Sequence, residues 1–368
     1  MSGIFIKRLA TAMFQLGSKI TVLAPGDQNS KSEEVDGGIR VVRFSYAPRP
    51  WMKLAYGPGG IPENLKRNPL LYMLLPFFII SLIFSILRFS RNCDIIHANW
   101  IITGLLALPS SILMRIPLVA TLRGSDFQTK RSRFLRFVLN KSTAVTTVNE
   151  KWMKELKQKY EANIYYTPNG VYIPEGKIDV REKYKIGKDQ TLVLFVGTLC
   201  ERKGIDILVS TAALLAKNNI RFLVVGPGDQ NKFHLLSYPN IVFAGEYKPE
   251  EVLTIYSSCD IFLLPSRFEG RPNTLIEAMA AGIPSIVAPL PGVIDFFTAD
   301  CGIILEQNIP ELIADKIISL ADQPGLREKM GKSAKERIVE LKLDWNTCAK
   351  NYLSIFGEFI DVRYRRNH

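Results

Sequence analysis

Two carboxylates, Glu269 and Glu277, lie eight positions apart in a stretch that the sequence predicts to be a strand, a loop and a helix. The largely apolar run 260–264 has the length of a strand, and Pro272 and Asn273 carry the start signals of a helix, with Asn273 as its N-cap. In an open parallel sheet, ligands bind at the carboxyl ends of the strands, and a helix N-terminus offers unpaired N–H groups to an anion. The spacing therefore predicts two carboxylates that flank a phosphate-binding position. The alternative is that Glu269 is a solvated loop residue and Glu277 is a charge on a helix surface.

A pair of cations, Arg202 and Lys203, occupies a second strand-to-helix crossing. The apolar run 191–196 predicts a strand that ends at Gly197, and a helix is predicted to begin at Ile205. Cations beside a helix N-terminus suit the binding of a diphosphate. A bare basic pair would otherwise be solvated surface.

The first half of the chain offers a histidine and an arginine in comparable positions. His97 ends a short apolar strand, where a side chain can reach a ligand. Arg123 and Asp126 follow the predicted strand 117–122, and we expect them to contact the acceptor or a phosphate. An arginine cannot act as a base, but it can hold a phosphate or a carboxylate.

Length and element order predict two domains. A chain of 368 residues exceeds one ordinary core. Strands and helices alternate twice along it, which favours the α/β class with two doubly wound, Rossmann-like domains that face a cleft. The boundaries are predicted at 1–173 and 177–343.

Charge and cysteine usage narrow the partners and the compartment. Residues 1–170 hold 23 Lys and Arg against 10 Asp and Glu, so the whole net charge of +12 arises in the first half. This indicates an anionic partner, either a membrane surface or nucleic acid, or else a generally basic surface. No zinc-finger, RNA-recognition or helix-turn-helix frame is present, so nucleic acid is not expected. The five cysteines form no C-x-x-C pair and no secretory signal is expected, which predicts a cytoplasmic location without a zinc site or disulfides.

The segment 69–87 holds 19 residues without a charge, between Lys66-Arg67 and Arg88. Its length suits a membrane span. A spanning helix would, however, place strands of one sheet on opposite faces of the membrane. The segment is therefore predicted to be a buried or interfacial helix whose face lies on an anionic membrane.

The frame E-G-x-P-N-x-x-x-E-A-M-A-x-G-x-P, which starts at Glu269, resembles the retaining glycosyltransferases of family four, which have the GT-B fold and use nucleotide-sugar donors. The segments D-x-x-H-A-x-W around His97 and P-N-G-V at 168–171 are similar to that family as well. The resemblance implies that Glu269 contacts the donor sugar, Glu277 the ribose, and His97 the far side of the sugar. It also implies that the diphosphate and the rest of the donor contact a further set of residues: Gly3, Gly197, Arg202, Lys203, Gly270, Asn273 and Thr274.

The resemblance implies further that the helix 344–368 packs back on the first domain and that no metal or other cofactor is needed. The chain departs from the family pattern at several positions. The first strand of the N-terminal domain is predicted to be missing, with only Gly3 left of the loop that follows it, so neighbouring strands would lack a partner. Arg123 replaces the histidine of an H-G-x-D segment, Thr198 an arginine and Asp295 a glutamate.

With these residues, the resemblance implies a retaining hexosyltransferase that moves a sugar from a nucleotide diphosphate to an acceptor. The acceptor is expected to be a glycan or a lipid-linked glycan at the cytoplasmic face of the membrane. A catalytically impaired family member and an enzyme similar to nucleotide-sugar epimerases or phosphorylases stay open as alternatives.

Overall fold

The computed structural model describes residues 3–57, 60–124, 126, 133–174, 176 and 178–366, with side chains up to Asp361. The chain divides into two compact units, Met1–Gly170 with Trp345–His368, and Val171–Asp344. The predicted boundary lay three residues later, and residue 177, the predicted start of the second domain, lies outside the described residues. Val171 joins the second unit because its N–H donates to the carbonyl of Leu343 at 2.8 Å.

The first unit contains seven helices and seven strands among the described residues. The helices are α1 (Ile4–Gln15), α2 (Gly60–Arg67), α3 (Leu75–Ser90), α4 (Ile101–Met114), α5 (Arg133–Lys141), α6 (Glu150–Lys159) and the C-terminal α13 (Trp345–Arg366). The strands are β1 (Thr21–Pro25), β2 (Glu33–Asp36), β3 (Ile39–Phe44), β4 (Ile96–Asn99), β5 (Leu118–Leu122), β6 (Ala144–Thr147) and β7 (Ile164–Tyr166).

These strands form two sheets instead of one, in the orders β1-β3-β2 and β4-β5-β6-β7. From Gly3 onward, the described residues contain no strand before α1, as the sequence predicted. β5 and β6 are fully buried, whereas β1 and β4, each at the edge of its sheet, are mostly half-buried. The antiparallel strand β2 was not predicted, because Glu33-Glu34-Val35-Asp36 lacks an apolar pattern; ion pairs to Arg40 and Arg43 of β3 hold it.

The apolar segment after α2 forms a 3₁₀ turn, Pro69–Leu74, that continues into α3. Phe78, Leu82 and Ile86, four positions apart, form the buried stripe of α3. The Phe78 ring packs edge-on against Phe44 and Tyr46, with centroids 5.2 and 5.1 Å away. The opposite side of the helix is exposed, so the helix is anchored to the protein along one stripe only.

The C-terminal helix α13 belongs to the core of the first unit. Its buried Trp345, Tyr352 and Phe356 pack with Leu9 and Met13 of α1. The last helix of the chain thus covers the first unit although 174 residues of the second unit precede it.

The second unit is a doubly wound domain. Its helices are α7 (Val180–Lys183), α8 (Ile205–Leu214), α9 (Pro249–Tyr256), α10 (Asn273–Ala281), α11 (Pro310–Ala321) and α12 (Pro324–Glu340). Its strands are β8 (Thr191–Val196), β9 (Ile220–Val225), β10 (Ile241–Gly245), β11 (Ile261–Leu264), β12 (Ser285–Val287) and β13 (Gly302–Ile304).

All six strands of this unit are parallel, in the order β10-β9-β8-β11-β12-β13. Along β8, Leu192 and Leu194 pack into one apolar cluster, and Val193 and Phe195 into another on the opposite face of the sheet. Both faces are therefore covered. The predicted class, α/β with two Rossmann-like domains, is confirmed.

Candidate functional site

The candidate site lies where the chain reverses direction across the sheet of the second unit. From β8 the strand order runs outward to β9 and β10, and then in the opposite direction from β11 to β13. β8 and β11 are neighbours, with Val193 beside Ile261 and Leu194 beside Phe262. The loops after these two strands leave the same edge of the sheet, which is the topological switch point where α/β domains bind ligands.

Main-chain contacts join these two loops. The N–H of Arg267 donates to the carbonyl of Arg202 at 2.9 Å. Gly204, which caps α8, has φ +73°, and a Cβ at this position would lie 1.9 Å from the carbonyl oxygen of Pro265. Only glycine allows this close approach. The local backbone thus fixes the position of the loop after β8, which carries Arg202 and Lys203 (the basic loop), against the loop after β11, which carries Glu269 (the acidic loop).

Lys203 and Glu269 come together as an ion pair. Lys203 Nζ lies 2.6 Å from Glu269 Oε1, and Ser266 Oγ donates to the same oxygen at 2.9 Å. The two charged side chains are only 17% and 8% exposed. Sequence reasoning assigned both residues to the donor site but did not pair them, and it missed Ser266, whose only signal is its place three positions before the glutamate.

Arg202 lies at the rim of this pair. It is exposed, and its Nη1 is 3.5 Å from the carbonyl of Phe268. Arg267, which sequence reasoning missed, makes a bidentate ion pair with Asp206 in the first turn of α8. This ion pair holds the pKa of Asp206 below its usual range. Arg267 therefore clamps the two loops together, and Arg202 stays at the surface.

The helix that follows the acidic loop starts one residue earlier than predicted. Pro272 is the N-cap of α10, and its carbonyl accepts from the N–H groups of Leu275 and Ile276 at 3.2 and 3.3 Å. The prediction of Asn273 as N-cap is wrong, because the extended backbone of Pro272 already fits the capping position. Thr274, in the first turn, has a buried Oγ1 without a hydrogen-bond partner among the residues that the structure describes.

Glu277 is buried inside α10 and is not a surface charge. It is 9% exposed, and Tyr256 Oη, itself fully buried, donates to its Oε2 at 3.2 Å. A buried carboxylate needs such partners. The alternative reading of Glu277 as a solvated helix charge is therefore wrong, whereas its predicted contact with a ribose stays a prediction.

Two glycines, Gly197 and Gly270, lie in the loops that carry the ion pair. Gly270 presents its carbonyl to Gly292, at which a Cβ would lie 2.4 Å from that oxygen. Gly197 follows β8 and donates to the carbonyl of Val225 at 2.9 Å, with room for a Cβ. Between Gly270 and Pro272, the buried Arg271 stacks on the ring of Phe296 at 4.2 Å, a residue that the sequence did not single out.

His97 sits in the first unit, on β4. Its Nε2 is 2.7 Å from Thr121 Oγ1, and its ring contacts Tyr352 and Phe356 of α13 at 5.0 and 5.5 Å. Burial, with a smaller contribution from the charge of Arg123, lowers the pKa of His97 to about 3. The imidazole is therefore neutral at physiological pH, and its predicted contact with the sugar stays a prediction.

Arg123 lies next to this histidine and is buried. Its guanidinium donates to the side-chain oxygens of Asn99 and Asn169, each at 2.7 Å, and stacks on the ring of Phe5 at 4.5 Å. Burial lowers its pKa. Three sides of the guanidinium are thus in contact with protein, so the predicted phosphate or acceptor contact would require these amides to move.

Asp126 and Gly3 support helix ends in the same unit. The Asp126 carboxylate accepts from the N–H groups of Ile101 and Arg123 at 3.2 and 2.8 Å, and burial raises its pKa. Gly3 caps α1 with φ +93°. In this structure both residues order the backbone. Within the described parts of the chain, no three His, Cys, Asp or Glu side chains lie together as a metal site would require.

Comparison with known proteins gives a consistent picture. The family model described as "Glycosyltransferase Family 4" matches residues 2–173, and the one described as "Glycosyl transferases group 1" matches residues 176–337. An uncharacterized glycosyltransferase of Methanocaldococcus jannaschii is 28% identical over 190 residues, which is 50% of this chain and 48% of that relative.

Two solved structures show the same fold. Sucrose-phosphate synthase from Thermosynechococcus elongatus superposes with a TM-score of 0.80 at 19% identity, over 98% of this chain and 93% of that one. Anabaena HepE in complex with UDP-glucose superposes with a TM-score of 0.70 at 15% identity, over 92% of this chain and all of that one.

Proposed function

Because this chain belongs to the glycosyltransferases of family four and has the GT-B fold, we propose that it transfers a hexose from a nucleotide-diphosphate sugar to an acceptor with retention of anomeric configuration. The observation that carries the proposal is the Lys203–Glu269 pair, at the switch point of the second unit and beside the N-terminus of α10. The complex of HepE with UDP-glucose supports a nucleotide-sugar donor.

The cation of the pair suits the leaving group. A lysine ammonium has three N–H donors. Lys203 can therefore donate to Glu269 Oε1 with one of them and to phosphate oxygens with the others. Negative charge on the diphosphate grows as the bond to the sugar breaks, and a fixed cation in a partly dry site stabilises it. Arg202, at the exposed rim, and the N-terminus of α10 add positive potential at the same edge.

The carboxylates suit the neutral parts of the donor. Glu269 is oriented by Lys203 and Ser266, and its oxygens can accept from hydroxyls of the sugar. Glu277, oriented by Tyr256, can accept from the ribose in the same way. Gly197, Gly270, Asn273 and Thr274 would line the diphosphate and the sugar.

In the proposed reaction the bond between C1 of the sugar and the diphosphate oxygen breaks, and the acceptor oxygen bonds to C1 on the same face. The proton of the acceptor hydroxyl passes to the departing diphosphate. No protein nucleophile is required, so Glu269 orients the sugar and need not form a covalent bond. His97 would contact the far side of the sugar. Neither a metal nor a cofactor takes part in this scheme.

The acceptor we propose is a glycan or a lipid-linked glycan at the cytoplasmic face of the membrane. The basic first half of the chain and the exposed apolar side of α3 support this location. A membrane-bound acceptor would then be concentrated where the enzyme resides.

The test is binding of UDP, GDP, ADP and dTDP to the full chain by calorimetry, followed by transfer from the matching nucleotide sugar. We expect base-selective binding, weakened at least about tenfold in Glu277→Gln and in Lys203→Met, as the loss of one charged contact predicts. Lys332→Met, which removes an exposed cation from α12, is the matched control. The NMR coupling of the anomeric proton in the product reports retention. Binding without turnover would favour an impaired family member, and no binding of any nucleotide would refute the proposal.

A further inference from the structure

A stripe of exposed apolar side chains runs along the outer side of the 3₁₀ turn and α3. Its members are spaced alternately three and four positions apart, as on one face of a helix: Leu70, Met73, Phe77, Ile80 and Phe84. Leu70 and Met73 are 73% and 74% exposed. Among the described helices, the segment Pro69–Ser90 is the one long and apolar enough to cross a membrane. Its most apolar window of 18 residues has a mean hydropathy of 2.6, and only 17% of that window is buried.

Two further helices near α3 also expose large apolar side chains. α3 packs against α4, and α4 packs against α5. These helices expose further large side chains, namely Ile102, Ile112 and Leu113 on α4 and Phe134 and Phe137 on α5. So many exposed apolar side chains on adjacent helices exceed what a solvent-facing surface normally carries.

Most of the charges around this surface are positive. Residues 64–141 hold eleven Lys and Arg against two acidic residues, Asp94 and Asp126, and Asp126 is buried. The exposed cations lie at the ends of the apolar helices or on α5, at Lys66, Arg67, Arg88, Arg91, Arg115, Arg133, Arg136 and Lys141. Apolar side chains surrounded by cations match the acyl boundary and the phosphates of an anionic bilayer.

The anchoring of α3 decides between lying on a membrane and crossing it. Phe78, Leu82 and Ile86 are buried, and Phe78 packs on Phe44 and Tyr46. A helix that keeps these protein contacts has only its other side free for lipid. It can therefore lie in the interface but cannot be surrounded by acyl chains.

We propose that α3, with the 3₁₀ turn before it, α4 and α5 form a docking face that lies on the surface of an anionic phospholipid bilayer. The stripe from Leu70 to Phe84 inserts among the lipids, and the surrounding Lys and Arg contact lipid phosphates. This proposal does not depend on sugar transfer, because docking requires neither donor nor acceptor.

The test is flotation of the full chain with vesicles of phosphatidylcholine alone or mixed with phosphatidylglycerol, in the absence of nucleotide. We expect binding to the mixed vesicles only, weakened by salt. Arg133→Gln with Arg136→Gln should reduce it roughly 25-fold, since each cation near an anionic surface strengthens binding by about fivefold. Phe77→Gln with Phe84→Gln should reduce it at least about tenfold, as the loss of two inserted aromatic side chains predicts.

Val339→Gln, which alters an exposed apolar residue of α12, is the matched control and should bind as the original chain does. The single variant Phe84→Trp should show a blue-shifted emission with mixed vesicles, whereas Val339→Trp should not. Three results would overturn the proposal. The first is no binding to mixed vesicles. The second is a chain that alkaline carbonate fails to extract from the membrane, which indicates a spanning helix. The third is a dimer that forms without lipid and dissociates in the double variant Phe77→Gln, Phe84→Gln.

Discussion

The ion pair between Lys203 and Glu269 gives the sharpest quantitative test of the site. At 2.6 Å and an effective dielectric constant of about 20, the Coulomb attraction is about 6 kcal/mol before the cost of removing both groups from water. Removing one partner of a buried pair usually costs 3–5 kcal/mol, because the other charge stays buried. Ser266 still donates to Glu269, so we expect Lys203→Met to lower the free energy of unfolding by about 3 kcal/mol.

The assay is a double-mutant cycle by urea unfolding, with Lys203→Met, Glu269→Gln and the double variant, and with Lys332→Met as control. The double variant should regain at least about 1.5 kcal/mol relative to the sum of the single losses, because no unpaired charge is left. Turnover should not return with stability. It should stay at least about tenfold low, since the cation that we propose for the diphosphate is absent. A stability loss under about 0.5 kcal/mol would refute the structural reasoning, and recovered turnover in the double variant would refute the catalytic assignment.

Two further predictions follow from backbone geometry and burial. Gly204→Ala should weaken nucleotide binding and lower the free energy of unfolding by more than about 1 kcal/mol, because its Cβ would meet the Pro265 carbonyl. Gly197→Ala, which has room for a Cβ, should change the free energy of unfolding by less than half as much. Calorimetry measures the binding, and urea unfolding measures the stability. For His97, the folded pKa of about 3 lies below the unfolded value of 6.5, so the unfolded chain binds the extra proton and stability falls as pH drops below about 6.5, by about 1.4 kcal/mol per pH unit. Urea unfolding at pH 7 and pH 5 should show a smaller loss in His97→Gln than in the original chain or in His234→Gln, and an unchanged loss would contradict the assignment.

Local patterns predicted most elements of the second unit. The run 191–196 coincides with β8, because a continuous apolar stretch of six residues between polar flanks is typical of a strand covered on both faces. The loops after β8 and β11 were located for the same reason. The ion pair between the two loops was not predicted. Lys203 and Glu269 are 66 positions apart and meet only because β8 and β11 are neighbours in the sheet.

Other features depend on contacts that no local pattern contains. Glu277 looked equally suited to a helix surface, and only the packing of α10 shows that it is buried against Tyr256. The sequence predicted that His97 ends its strand, which is wrong, because β4 continues to Asn99. The contact of His97 with Tyr352, which comes from the far end of the chain, was not predicted either. In α3 nearly every residue is apolar, so periodicity alone could not tell which side faces the protein.

The division of the first unit into two sheets has a consequence for how it opens. Within the described residues, β1 and β4 are edge strands of separate sheets, so no ladder of hydrogen bonds transmits cooperativity from one sheet to the other. The helix α3 bridges them, since it contacts β1 and β3 as well as α4. We therefore expect the three-stranded sheet to open separately and to be less protected from hydrogen exchange than the four-stranded one. A bilayer that holds α3 in place would stabilise the contact between the two sheets. Membrane docking and the local stability of the three-stranded sheet would then be thermodynamically linked.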